Sequence, residues 1–201
     1  DCLGVYGIAR DLAATGIGLL RNNSPLEKEG VPSVPLTSFA GNWGLGTGSY
    51  KSPISVTITD TKGCSMFVGR YFKNVTNKES PQWLKARLEA IGLRPISALV
   101  DITNYVTFAY GRPLHVFDAD KVHGNITIRE AKKGEKLKAL NGKEYEIPEG
   151  ATVVADDKMA EGIGGIIGGE ESGCTLETKN VFLEVAYFNP TKVARTGRAL
   201  E

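Results

Sequence analysis

The chain has 201 residues, 41% hydrophobic and 23% charged, a composition that excludes extensive disorder. Lys and Arg number 24 against 23 for Asp and Glu, so a formal charge of +1 provides no global pull on nucleic acid, a membrane surface or acidic ligands. Any such partner must be held by a local patch. The longest apolar stretches, residues 96–102 and 181–188, fall far short of the roughly 18 residues a membrane-spanning helix needs, so no membrane partner is expected.

Cys2, Cys64 and Cys174 are odd in number, widely spaced and in no C-x-x-C pair, which argues against a disulfide scaffold or zinc knuckle and for a reducing, cytoplasmic setting. The chain opens at Asp1 with neither methionine nor a charged-then-apolar leader, and it reads as a piece excised from a longer polypeptide.

In chain order, Asp1 is a candidate N-cap, and Val5, Ile8, Ala9 and Leu12 at helical spacing predict an amphipathic helix over 2–15. Residues 1–20 are assigned to a preceding domain. Residues 21–53 are dense in Asn, Ser, Gly and Pro without periodicity and read as a variable linker. The main domain is placed at 54–199, with Leu200-Glu201 as a possible cloning scar. Alternation at Ile54, Val56 and Ile58 predicts a half-buried strand, and 66–72 a second. Ser80-Pro81 supplies an N-cap followed by proline for a helix whose face is Leu84, Leu88 and Ile91 and which Gly92 ends. Ile102, Tyr105, Val106 and Ala109 predict another helix, closed by Gly111.

Strands follow at Ile126 and Ile128, at 136–140 and 144–147 about an Asn141-Gly142 hairpin, and at 152–155. Asn189-Pro190 opens a terminal helix. Strands without regular βα alternation favour an α+β fold, mostly antiparallel sheets packed with a few helices.

Among residues able to carry chemistry, the run Gly162-Ile-Gly-Gly-Ile-Ile-Gly-Gly169 lacks the third glycine of a dinucleotide fingerprint and any G-K-[ST] ending. Glu170 and Glu171 follow where a phosphate would need positive potential, so close packing of backbone is the better reading. The stretch 181–188 is apolar on both faces, as in a strand buried on both sides, except for Glu184. Burying an unpaired charge costs several kcal/mol, which leaves either a structural ion pair or a recognition carboxylate at a pocket floor. His115 stands in an apolar setting and His123 in a polar turn. With two imidazoles and no supporting acid at short spacing, no metal centre is expected. Thr103 and Asn104 read as a polar pair on a helix, and Lys192, Arg195 and Arg198 form a basic stripe, solvated or facing a phosphate backbone.

Taken together, residues 92–105, 112–118, 162–169 and 183–190, quoted in part as Asp101-Ile-Thr-Asn-Tyr105, Arg112-Pro-Leu-His115 and Leu183-Glu-Val-Ala-Tyr-Phe188, closely resemble the B3/B4 editing domain of bacterial phenylalanine-tRNA ligase beta subunits. The likeness runs from about Ile54 to Ala199, and the opening ten residues resemble the helix preceding that domain. It implies an aminoacyl-tRNA ligase in the full protein, and in this part a deacylase for tyrosine wrongly esterified to tRNA(Phe). On that resemblance Glu184 receives the tyrosine hydroxyl, His115 lies beside the scissile ester with Asn104 and Thr103 as orienting groups, and Gly164, Gly165 and Gly168 wall the pocket. Gly164 replaces an alanine often found in the family, and the family's site also draws on residues beyond this stretch. No cofactor is implied here, ATP and magnesium serving the full enzyme, whose partners are tRNA(Phe) and the alpha subunit in a heterotetramer of two alpha and two beta subunits. The alternative is a non-catalytic tRNA-binding or assembly module.

Overall fold

The computed structural model describes residues 52–201, so the helix expected at 2–15 and most of the linker lie outside the described residues. Strands β1 (Val56–Ile58), β4 (Ile126–Glu130), β7 (Thr152–Ala155), β8 (Ala160–Ile163) and β9 (Ile167–Gly168) form a sheet in the order β1-β4-β7-β8-β9. Only the β1–β4 pair in it is parallel. β2 (Cys64–Phe72), β10 (Val181–Phe188) and β3 (His115–Asp118) make an antiparallel sheet with β10 in the middle, and β5 (Lys136–Lys138) pairs with β6 (Glu144–Glu146) in a hairpin. Helices α1 (Gln82–Ala90) and α2 (Ala98–Tyr110) pack on each other, and α3 (Pro190–Ala199) follows β10. The fold is α+β, as the strand-rich pattern requires.

Two apolar cores explain why β7 is buried along its whole length. Val153 and Ala155 point to one core, with Leu137, Ala139, Ile147 and Ile163, under the β5–β6 hairpin. Val154, the intervening residue, points to the other, with Ile126, Ile128, Phe117 and Phe182, between the five- and three-stranded sheets.

Local signals place several elements correctly. Asn189 Oδ1 accepts from Thr191 N and Lys192 N at 3.0 and 3.1 Å and Pro190 fills the first helical turn, so α3 starts where expected. Gly142 closes the β5–β6 turn with φ +77°. Other expectations fail for tertiary reasons. Ser80 does not cap α1, because its hydroxyl donates to Asp101 at 2.5 Å, and Pro81 occupies the cap position. Ile91, expected on the buried face, is the C-cap and is exposed. In α2 the buried residues are Asp101 and Thr103 rather than Ile102. Strand β10 is not buried on both faces: Tyr187 is 56% exposed and lies beside exposed Met66.

Candidate editing site

Strand β10 runs antiparallel to both neighbours, and its register sets Glu184 opposite His115 on β3 and Gly69 on β2. Directly opposed side chains share a face, with Cβ atoms roughly 5 Å apart. Phe182 and Phe117, each two residues from this pair, enter the core on that same inner face. Glu184 is 8% exposed, and among the described residues no hydrogen bond or ion pair reaches its carboxyl. Burial alone pushes its pKa up to about 8. With a pKa of about 8 the acid is largely protonated at neutral pH.

His115 is half-buried, but its Nε2 is shut off from solvent and has no hydrogen-bond partner among the described residues. Desolvation lowers its pKa to about 4, so the imidazole is neutral at pH 7. Its ring meets Phe117 edge-on, centroids 4.4 Å apart. Opposite the imidazole stands Gly168, where an added Cβ would come within 2.3 Å of His115 Cε1.

The glycine run forms the β8–β9 turn and covers this face. A Cβ on Gly164 would meet the Phe188 ring at 2.7 Å, and one on Gly165, whose φ is +72°, would meet Val193 at 2.9 Å. Close backbone packing is thus the role of the run. With side chains of its own fold against these glycines and Glu170 and Glu171 next in sequence, it does not fit a nucleotide phosphate.

The structure brings Glu184, His115 and Gly168 together and sets Gly164 and Gly165 beside them through Phe188. Thr103 is different: its hydroxyl donates to Val100 O of its own helix at 2.7 Å. Asn104 is half-buried, with no hydrogen bond to its amide among the described residues. The basic stripe is partly spent, since Lys192 pairs with Asp60 at 2.5 Å and Glu130 at 3.0 Å. Two hollows of about 300 and 380 Å³ are present, one beside Ser80 and Asp101 and one beside Asp60 and Glu130, and neither is lined by Glu184 or His115.

One neighbourhood escaped sequence reasoning. His123, Asp156 and Glu161 converge although 33 and 38 residues separate the histidine from the two acids, and no short-range spacing signals it.

Comparison with known proteins decides the family. The model of the B3/4 domain matches residues 63–201. The chain belongs to the B3/4 domain family. It is 52% identical over 205 residues to the phenylalanine–tRNA ligase beta subunit of Paramagnetospirillum magneticum and 53% identical over 203 residues to that of Ruegeria pomeroyi. In each case all of this chain is matched, and it spans 23% of the relative's length. An N-terminal fragment of the phenylalanyl-tRNA synthetase beta subunit from Pyrococcus horikoshii has the same fold, with TM-score 0.51 and 16% identity over 73% of this chain and 50% of that one. The B3/4 assignment agrees with the resemblance carried by the four sequence motifs.

Proposed function

We propose that this B3/4 domain is the editing module of a phenylalanine-tRNA ligase beta subunit and hydrolyses tyrosine wrongly esterified to tRNA(Phe). The observation that carries the reading is Glu184, a buried acid without a partner among the described residues, directly across from His115 on the face covered by the glycine run. Aminoacylation with ATP and magnesium, and association with an alpha subunit, belong on this reading to parts of the enzyme outside this chain. Its setting would be the cytoplasm.

A synthetic pocket shaped for phenylalanine rejects tyrosine only modestly, so a second sieve that reads the hydroxyl is useful. The neutral Glu184 carboxyl offers both an acceptor and a donor to a phenol, whereas a phenylalanine ring leaves it desolvated and unpaired. That difference amounts to roughly 1–3 kcal/mol, about a 5- to 150-fold preference.

Hydrolysis forms a bond from water oxygen to the ester carbonyl carbon and breaks the bond to the ribose oxygen, which leaves with a proton. A histidine whose conjugate acid has a pKa near 4 is a weak base at pH 7. His115 therefore acts chiefly as a positioning residue beside Glu184, its imidazole held between Phe117 and Gly168. Asn104, whose amide makes no hydrogen bond among the described residues, would orient the ester or the terminal ribose, while Thr103 contributes through its place in α2. The remaining wall of the pocket is supplied by portions of the subunit beyond this chain.

That neither of the two hollows is lined by Glu184 or His115 favours a second reading, a non-catalytic tRNA-binding or assembly module. The test uses the full-length synthetase carrying Glu184→Ala. Editing predicts that tyrosyl-tRNA(Phe) accumulates and its deacylation falls roughly tenfold or more, with phenylalanyl transfer close to wild type. Unchanged deacylation would select the binding module.

A further inference from the structure

We propose that His123, Asp156 and Glu161 bind one zinc ion that ties the β3–β4 connection to the β7–β8 hairpin. One ligand atom from each residue lies within 4.8 Å of the other two. His123 Nδ1 and Asp156 Oδ2 are already 3.0 Å apart. Glu161 is fully buried, and among the described residues neither of its carboxyl oxygens makes a hydrogen bond within 3.5 Å, although Ser172 and Asp156 stand close enough to act on it, an expensive state for an acid that no ion compensates.

The backbone arranges this convergence. In the β7–β8 register Gly162 faces Val154 and Ala160 faces Ala155, so Glu161 is the extra residue of a β-bulge. Bulges re-aim a side chain that a regular strand would send elsewhere. Asp156 is fixed by Lys158 N and Met159 N on Oδ1 and by His123 N on Oδ2, and Asp157 N donates to His123 O. Two of the three ligands are thereby rigid before any ion arrives.

The donor set selects the ion. Two carboxylates and a neutral imidazole carry two negative charges, which a divalent cation neutralises. The imidazole nitrogen favours zinc over magnesium, and three ligands are too few for calcium, which takes six to eight oxygens. Ligand atoms on a tetrahedral zinc stand roughly 3.3 Å apart given bonds of about 2.0 Å, so a small rotation of Glu161 closes the set. Binding releases the Nδ1 proton and leaves the His123 proton on Nε2. Ser172 Oγ, also fully buried and without a hydrogen bond within 3.5 Å among the described residues, lies beside Glu161 and is placed to donate to the carboxyl oxygen that the metal does not use.

The ion would brace β8 at the strand that leads into the glycine turn, but the proposal stands independently of editing. The test dialyses the full 201-residue chain against chelator and then adds zinc chloride, with magnesium chloride as control. We expect one zinc retained per chain after desalting and a melting temperature raised by several degrees by zinc and not by magnesium. Glu161→Gln and His123→Asn should each weaken zinc binding roughly 10- to 100-fold while far-ultraviolet circular dichroism stays unchanged. If the metal-free chain is unfolded and zinc restores its spectrum, the proposal also stands. No retained zinc in the folded wild-type chain overturns it, leaving Glu161 and Asp156 to share a proton or a buried water. Zinc retained equally by both variants overturns it too, and would point to Cys64 or Cys174.

Discussion

Glu184 and His115 are opposed across two strands and perturbed in opposite directions by the same burial, which makes each the other's control. The glutamic acid rises from 4.5 to about 8, so between those values the native state holds a proton that the unfolded chain has lost. Stability is therefore undiminished below pH 4.5, declines as pH rises through the window, and has paid the whole cost above 8. The histidine falls from 6.5 to about 4, so its penalty is absent above 6.5 and grows as pH drops toward 4. Urea unfolding of wild type and Glu184→Gln across pH 5–8 should give a stability difference that moves against wild type as pH rises. His115→Gln should give the opposite slope below pH 6.5. A flat difference for Glu184→Gln would mean that the carboxyl is solvated or paired, and the pocket-floor role would fail with it. The residue type at 184 was legible in the sequence as an acid in an apolar strand. Its protonation was not, because desolvation depends on Phe182 and Phe117, brought to the same face by pairing partners distant in the chain.

At the scale of elements, the proposed function makes the β8–β9 turn a wall of the site, and its thinness is testable. Gly168 stands so close to the imidazole that an added methyl group cannot be accepted unless His115 moves. Gly168→Ala should leave far-ultraviolet circular dichroism intact and lower deacylation of tyrosyl-tRNA(Phe) by the full-length synthetase roughly tenfold or more, since small displacements of positioning groups are costly. Gly197→Ala is the matched control: no atom lies within 4 Å of its would-be Cβ, and alanine favours the interior of α3 by about 0.5–1 kcal/mol. Normal editing by Gly168→Ala would remove the wall from the site. Elements announced by their own ends, such as α3 with Asn189-Pro190 or the Asn141-Gly142 hairpin, could be read from sequence because the hydrogen bonds that define them are local. Ser80 misled because a stronger partner, Asp101, sits 21 residues away. The same distance effect hid His123, Asp156 and Glu161, which only the bulge and the strand pairing bring together.

Across the whole molecule, the five-stranded sheet lies between two cores, and the face that carries Glu184 and His115 belongs to the sheet that closes the second of them. The mixed α+β character follows from the sequence of periodicities, but the sidedness of the three-stranded sheet does not. A strand buried on both faces and a strand with one bare apolar face carry the same residues, and β10 proved to be the second kind. Its inner row includes Phe182, which is 1% exposed and lays its ring across Gly69. The outer face pairs exposed Met66 with Tyr187, and Val68, 53% exposed, with Val185. Burial thus separates two apolar residues that hydropathy ranks together. Phe182→Ala should lower the unfolding free energy by about 3–5 kcal/mol, through lost transfer energy and the cavity left above Gly69. Val68→Thr should change it by about 0.5 kcal/mol or less, as substitutions at exposed positions do. Both values come from urea titrations of the 201-residue chain, and comparable losses for the two variants would mean that the outer face is packed as tightly as the core.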